Sequence, residues 1–476
     1  MLRRAFITAV AALLVAACSS GPVSTSSPGG SGTPRPSAGS SASAGPSATP
    51  AIDPASTGRA FIDAIARGDG ASAEAMEDDA MRSAAPHDKL VELWGQLTAQ
   101  YGAVQGIGSV TTSSQPPFTN AAVPVYFTSK TVTLSVTISK DGRVSGLHVT
   151  KVEAPANAPS PSPAPYVNPS AFTERDVTVG SSPWALPGTI SMPAGAGPFP
   201  AVILLAGSGP QDRNETIGPN MPLRDIAQGL ASRGIAVLRY EKRTYAHQAE
   251  MAAVQSTITV REETTDDALA AVALLRGTSD IDASRIFLAG HSLGGYLAPR
   301  IAAQAPAGSL RGIVLLEAPS STLEKLILAQ VTYLLSLQGI TGAAAEAQLS
   351  TLRAQIRLAE SPSLTSSTPA AQLPLGIPAA YWLDLRTYDA PAVAASLSMP
   401  IFFSQGGRDY QVPPTELDGW KKALSTGTHD VTYRTYASMD HILLDGSGTP
   451  RPDEYTVAGH VDAQLVSDLA AWVLAH

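Results

Sequence analysis

Residues 286 to 299 of this 476-residue chain read IFLAGHSLGGYLAP. An apolar run enters Gly290-His291-Ser292-Leu293-Gly294, and an apolar helical pattern then resumes. G-x-S-x-G between a buried strand and a helix puts the serine on a tight, strained turn that lifts its hydroxyl above the sheet edge. Small residues two before and two after are needed because the backbone crowds itself there. In a chain with 40 glycines the five-residue pattern alone is weak, so its specificity comes from the strand before it and the helix after it. The chemistry such a serine performs is nucleophilic acyl transfer, with a histidine as base and an acid to orient the histidine.

The elbow fixes the order of its partners along the chain as serine, acid, histidine. Asp409 follows an expected strand in Gly406-Gly407-Arg408-Asp409, where a loop at the carboxyl end of a strand can present it to an imidazole. His441 lies in Met439-Asp440-His441, likewise after a strand. The competitors are less well placed. His429 precedes the last strand, and His460 and His476 read as lying in or after the final helix. Asp418 reads as helical and Asp440 abuts the histidine itself. Ser292, Asp409 and His441 are therefore the expected nucleophile, acid and base.

A tetrahedral intermediate also needs two N–H donors for its oxyanion. Leu293, directly after the nucleophile, supplies one. The segment LLAGSGPQDRN, residues 204 to 214, follows the first central strand, and there Ser208, or alternatively Gly209, is placed to supply the other. Asp212 and Arg213 in the same loop read as a substrate contact or a structural ion pair, with the structural reading preferred.

These side chains need a scaffold that collects loops at one edge. From about residue 170 the sequence alternates strands with helices, the pattern of a mostly parallel sheet covered on both faces. Strands are expected at 200–206, 235–239, 285–289, 312–316, 400–404 and 431–436, with helices such as 222–233 and 261–276 between them. Residues 318–398 lack strand patterning and read as a helical insertion, a lid. Leu323, Leu326, Ile327, Val331, Tyr333, Leu334 and Leu337 make an apolar helical face there, followed by Tyr381, Trp382 and Leu385. Packing of the lid onto the core accounts for most of these, and lining of an acyl pocket for the rest.

The preceding 53–152 reads as a small α+β domain. Ala60, Phe61, Ala64 and Ile65 share one helical face, as do Leu90, Leu93, Trp94 and Leu97. Residues 123–128 and 131–138 alternate as strands, with a turn at Lys140-Asp141-Gly142-Arg143. His87 and His148 read as surface or structural. This region resembles the small nuclear-transport-factor-like domain found ahead of some secreted bacterial hydrolases.

Two composition breaks complete the organisation. Residues 153–170, containing PANAPSPSPAP, form an extended, semi-rigid linker. Residues 19–52 are nearly all Ser, Gly, Pro, Ala and Thr, too poor in apolar surface to offset their ordering entropy, and read as a disordered tether. Ahead of it, Met1-Leu2-Arg3-Arg4 and a short apolar run form a secretory signal over 1–18. Val15-Ala16-Ala17-Cys18 resembles a bacterial lipobox, which implies lipidation at Cys18 and tethering to the outer face of the cell membrane. Cys18 is the one cysteine, so the chain forms no internal disulfide. A net charge of -8 without a basic stripe argues against nucleic acid as a partner.

The combination GSGPQDRNE (207–215), RYEKR (239–243), GHSLGG (290–295), GGRD (406–409) and MDH (439–441) resembles the α/β-hydrolase superfamily over 171–476, and within it a group of secreted dienelactone-hydrolase-like or acyl esterases. That resemblance implies an α/β-hydrolase fold and hydrolysis of small-molecule carboxylic esters through an acyl-enzyme, without metal or organic cofactor. The family often carries a histidine where Ala206 stands, a departure that leaves the backbone donor in place. The absence of an arginine cluster favours a neutral or apolar acyl group. Thioesterase, lipase and serine peptidase remain as alternatives on the same fold. The propeller usual for prolyl-oligopeptidases cannot fit into the 100 residues before the linker. A non-enzymatic envelope-binding lipoprotein is the remaining reading of another class.

Overall fold

A computed structural model describes residues 53–128, 130–153 and 162–476. The expected signal at 1–18 with Cys18, the tether at 19–52 and most of the linker lie outside the described residues. Those described form two compact units, one over 53–153 and one over 162–476. Among them no helix is long and apolar enough to cross a membrane.

The smaller unit opens with helices Pro54–Ala66, Gly70–Met76, Asp79–Ala84 and His87–Tyr101 and continues in five antiparallel strands, Val104–Ile107, Thr111–Gln115, Phe118–Phe127, Thr131–Ser139 and Val144–Glu153. Asp53, Asp69 and Asp78 start the first three helices by accepting from backbone N–H groups of the first turn. Phe61, Ile62, Leu90 and Trp94 pack on Val123, Val125, Phe127, Leu134 and Val136 of the sheet. Two expected core positions face outward instead. Ala60 is exposed while Ile62 takes the inner face, and Leu93 is exposed beside buried Leu90, Trp94 and Leu97. His87 and His148 are both exposed, as expected.

The larger unit is built on eight strands: β1 Phe172–Val179, β2 Leu186–Pro193, β3 Phe199–Leu205, β4 Ala236–Tyr240, β5 Ile281–His291, β6 Gly312–Leu316, β7 Ile401–Gly406 and β8 Val431–Tyr436. Their spatial order is β1-β2-β4-β3-β5-β6-β7-β8. From β4 across to β8 all pairs are parallel. β1 and β2 form an antiparallel hairpin joined to β4, an extension absent from the sequence-based expectation.

The central strands are apolar on both sides because both faces are covered. Val202, Leu204, Phe287, Val314 and Phe402 face helices Pro222–Ala231 and Ala463–Ala475. The alternate residues Ala201, Ile203, Leu205, Ile286, Leu288, Ile313, Leu315, Ile401 and Phe403 face helices Asp266–Arg276, Leu293–Gln304 and Ala390–Ser396. Each buried aliphatic side chain contributes roughly 2 kcal/mol relative to exposure.

Between β6 and β7 the insertion is helical, with Leu323–Leu337, Gly342–Glu360, Ala379–Leu385 and Ala390–Ser396. Trp382 closes a core of the insertion's own with Ile327, Ala359, Leu364, Leu373 and Ala379, whereas Tyr381 and Leu385 join the main core. These three aromatic and aliphatic residues are thus packing residues. On helix Leu323–Leu337, Leu326 and Ile327 are buried while Leu323, Val331, Tyr333, Leu334 and Leu337 are half-buried.

Candidate active site

In a parallel sheet the carboxyl ends of the strands share one edge, and loops leaving them converge. Here that edge collects the loop after β3, Ser292 after β5, Glu317 after β6, Asp409 after β7 and His441 after β8.

Ser292 has φ 52° and ψ -116°, the strained conformation expected at the elbow, which costs on the order of 1–3 kcal/mol. Close packing explains the flanking glycines. A Cβ on Gly290 would overlap the Gly294 carbonyl and the Gly295 nitrogen, and one on Gly294 would lie 2.8 Å from the carbonyl oxygens of Leu205 and Ala206. The Ser292 N–H donates to the Leu316 carbonyl at 2.9 Å, which pins the turn to β6. Leu293 opens the following helix, so its N–H belongs to the unsatisfied first turn and points out of the helix N-terminus.

Ser292, His441 and Asp409 come together as a hydrogen-bonded line. Ser292 Oγ lies 3.1 Å from His441 Nε2, and His441 Nδ1 lies 2.7 Å from Asp409 Oδ2. The carboxylate acceptor places the ring proton on Nδ1 and leaves Nε2 free to accept from Ser292 Oγ. Asp409 Oδ1 accepts from the N–H groups of Gln411 and Val412, both at 2.8 Å, which fixes the carboxyl plane. Ser292 is half-buried, whereas His441 and Asp409 are buried. Burial holds the His441 imidazole well below its ordinary pKa, reinforced by the positive charge of His291. Burial also raises Asp409 to about 7, against the opposing pull of the Val412 and Gln411 amides.

The loop after β3 lies against this line. A Cβ on Gly207 would meet Glu215 Oε1 at 2.9 Å and Ser292 Cβ at 3.2 Å, so the backbone of this loop approaches Ser292 closely. The Gly207 N–H donates to Glu215 Oε1 at 2.7 Å. Ser208 is the next residue, and Gly209 takes φ 81°, a left-handed turn that suits glycine.

Other expectations resolve differently. Asp212 and Arg213 do not pair with each other. Asp212 accepts from Asn214 N, Thr216 N and Thr216 Oγ1 within its own turn, while Arg213 bridges Asp176 at 2.9 Å and Glu241 at 3.1 Å. Both are structural. His460 lies ahead of the last helix, not in or after it, because Asp462 caps that helix at Ala463, and its Nδ1 sits 2.9 Å from Asp225 Oδ2. His429 is half-buried in the loop before β8. Asp418 is helical, as expected, and buried Asp440 accepts from the N–H groups of Ile442 and Leu444.

Three buried groups around the site had no assigned partner in the sequence reading. His291 pairs with Glu215, Glu317 receives donors from β7, and Lys242 reaches the loop after β3. His291, Glu215 and Lys242 stand inside GHSLGG, GSGPQDRNE and RYEKR, so the motifs pointed to them, although nothing in those strings says which residue each one meets.

The geometry can be set beside known proteins. The family described as "Serine aminopeptidase, S33" matches residues 222–446. An esterase from Pyrobaculum calidifontis is similar at 17% identity over 64% of this chain and 85% of that one, with a TM-score of 0.38. Dipeptidyl peptidase 4 of Porphyromonas gingivalis is similar at 13% identity over 78% of this chain, with a TM-score of 0.40, and the match spans 44% of that larger protein. Esterase EstD of Thermotoga maritima is 36% identical over 388 residues, 81% of this chain and 87% of the esterase. Identity of that extent, on an eight-stranded sheet with a serine elbow after β5, makes this chain a member of the α/β-hydrolase superfamily, in the family of that esterase.

Proposed function

We propose that the chain is a serine esterase that works through an acyl-enzyme. Ser292 Oγ attacks the ester carbonyl carbon as His441 Nε2 takes its proton. The oxyanion is met by the N–H groups of Ser208 and Leu293. Collapse of the tetrahedral intermediate expels the alcohol, which receives the proton from His441, and water repeats the sequence on the acyl-enzyme. Asp409 keeps the imidazole in the required tautomer and stabilises the imidazolium. The observation that carries this reading is the Ser292–His441–Asp409 line at 3.1 and 2.7 Å. The name of the Thermotoga relative, an esterase, supports it. The nearby cations Lys242 and Arg213 are already paired with carboxylates, which favours a neutral or apolar acyl group.

The family description favours a second reading, an aminopeptidase. That activity needs a carboxylate for the substrate ammonium. Glu215, Glu317, Asp409 and Asp440 each already serve internal donors.

Fluorophosphonate labelling followed by peptide mapping tests the proposal, with a short-chain p-nitrophenyl ester and an aminoacyl nitroanilide as rival substrates. One adduct on Ser292, lost in His441→Ala, with turnover of the ester alone, is the expected result. A folded, ester-cleaving Ser292→Ala chain would sink it. In the same reading the chain is exported and held at the outer membrane face through Cys18 and its tether. Fractionation of cells carrying the wild type or Cys18→Ala checks that placement, and an unchanged membrane fraction for the variant would contradict it.

A further inference from the structure

Lys242 follows β4, yet its ammonium is buried and directed at the loop after β3. Its Nζ donates to the Gly207 carbonyl at 2.8 Å and to Glu263 Oε1 at 2.5 Å, and the Lys242 N–H donates to the Gln211 carbonyl at 3.0 Å. The other Glu263 oxygen, Oε2, accepts from the Tyr381 hydroxyl at 2.7 Å. Tyr381 belongs to helix Ala379–Leu385 of the insertion. Lys242 is 5%, Glu263 7% and Tyr381 6% exposed, and the space beside the ion pair is about 10 Å³, room for one water at most.

The Gly207–Ser208 peptide is trans. In a trans peptide the carbonyl and the following N–H point in opposite directions, and rotating one rotates the other. A bond that holds the Gly207 carbonyl toward Lys242 therefore turns the Ser208 N–H away from Lys242. The Gly207 N–H is held separately by Glu215. With both Gly207 polar groups engaged, the peptide units on either side of its Cα are each held, and the direction of the Ser208 N–H is set before any substrate arrives.

We propose that Lys242, backed by Glu263 and by Tyr381 from the insertion, is a positioning residue that fixes the Ser208 N–H as an oxyanion donor. This rests on the esterase reading above. It makes the seating of the insertion helix a determinant of transition-state stabilisation without contact between that helix and the substrate. Removal of the relay should act on the developing oxyanion and leave substrate binding and the histidine untouched.

The test measures kcat and KM on p-nitrophenyl butyrate, inhibition by phenylboronic acid as a tetrahedral mimic, the pH profile and the melting temperature, on the full chain. Lys242→Met combined with Glu263→Gln removes both buried charges together, and Tyr381→Phe removes one hydroxyl. The double variant should lose about 100-fold in kcat, the scale of one oxyanion donor, with KM within about 3-fold and boronate affinity falling in parallel. Tyr381→Phe should lose a smaller part of both, up to roughly 10-fold, and the pH profile should not move in either. A folded double variant with wild-type kcat overturns the proposal, as does a loss expressed in KM or as a displaced pH profile. Should the double variant fail to fold, Tyr381→Phe decides, and its unaltered kcat and boronate affinity would overturn the relay. A wild type that neither turns over ester nor labels at Ser292 fails the esterase reading itself, a result distinct from any variant effect.

Discussion

Glu215 and His291 form a buried ion pair directly beside Ser292, with Oε1 2.9 Å from Nδ1 and each side chain 2% exposed. The other ring nitrogen, Nε2, lies 2.7 Å from the carbonyl oxygen of His441. Both nitrogens face atoms that can only accept, so both carry protons and His291 is an imidazolium. It holds the backbone of His441 on one side. On the other, its partner Glu215 holds the Gly207 N–H. His441 and the loop after β3 are thereby tied to a single charge pair. Burial alone would lower the His291 pKa, but the Glu215 charge and hydrogen bond, with the His441 carbonyl, raise it to about 9.

A stability dependence on pH follows. Because the folded value lies above the ordinary 6.5, the His291 contribution is complete below about pH 6.5 and is lost as pH rises through about 9. Its full size is roughly 3 kcal/mol. Denaturant midpoints between pH 6 and 10 should fall for the wild type. Glu215→Gln should be less stable at pH 7 by about 3 kcal/mol and show a flatter decline. Parallel curves for the two chains would contradict the charge assignment.

The pH dependence of turnover has a different origin. Asp409 and His441 share one hydrogen bond and titrate as a unit. Burial raises Asp409 to about 7 and holds His441 far below its usual value, so the pair with Asp409 ionised and His441 neutral exists above about pH 7. As pH falls below that, the pair gains a proton and Nε2 ceases to be a base. kcat/KM should therefore fall about 10-fold per pH unit below 7 on a neutral ester. Asp409→Asn should lose on the order of 10⁴-fold in kcat at pH 8. A profile that stays flat down to pH 5 would refute this assignment.

That Ser292, Asp409 and His441 meet at one sheet edge was legible because each depends on local strings: an apolar strand run, then a loop residue of the right type, in a fixed order. The parallel core was legible for the same reason, since strands covered on both faces are continuously apolar. The β1–β2 hairpin was not. Its outer strand FTERDVTV is mostly exposed, so it carries no hydrophobic signature. Buried charges were harder still. Arg239 at the end of an expected strand and Lys242 and Arg243 just after it carry no sign of burial in the sequence, and only the fold supplies Glu174, Glu263 and Asp267 to neutralise them. Ala60 and Leu93 were misplaced because helical periodicity gives the apolar stripe but not its edges.

Glu317 provides the sharpest contrast between two acids at one site. It directly follows β6, is fully buried with φ 47°, and lies within electrostatic reach of Asp409 and His291. Burial first, then the nearby Asp409 charge, raise its pKa well above the carboxylate range, against the hydrogen bonds from Gly406 and Ser404. A neutral acid can keep these contacts. Oε2 accepts from Gly406 N at 2.7 Å and Gln405 Nε2 at 3.1 Å, as a carbonyl oxygen would. Oε1 accepts from the Ser404 hydroxyl at 3.0 Å, and a hydroxyl can turn to accept from a carboxylic proton or an amide at the same place. A glutamine reproduces this arrangement, with its oxygen at Oε2 and its amide nitrogen at Oε1. Glu317→Gln should therefore keep kcat within about 3-fold of wild type and remain folded at neutral pH, whereas Asp409→Asn does not keep activity. Glu317→Ala should cost about 2–3 kcal/mol in stability, because Gly406 N and Gln405 Nε2 lose a buried acceptor. A Glu317→Gln loss as large as that of Asp409→Asn would mean that the charge belongs on Glu317, and the roles of the two acids would have to be exchanged.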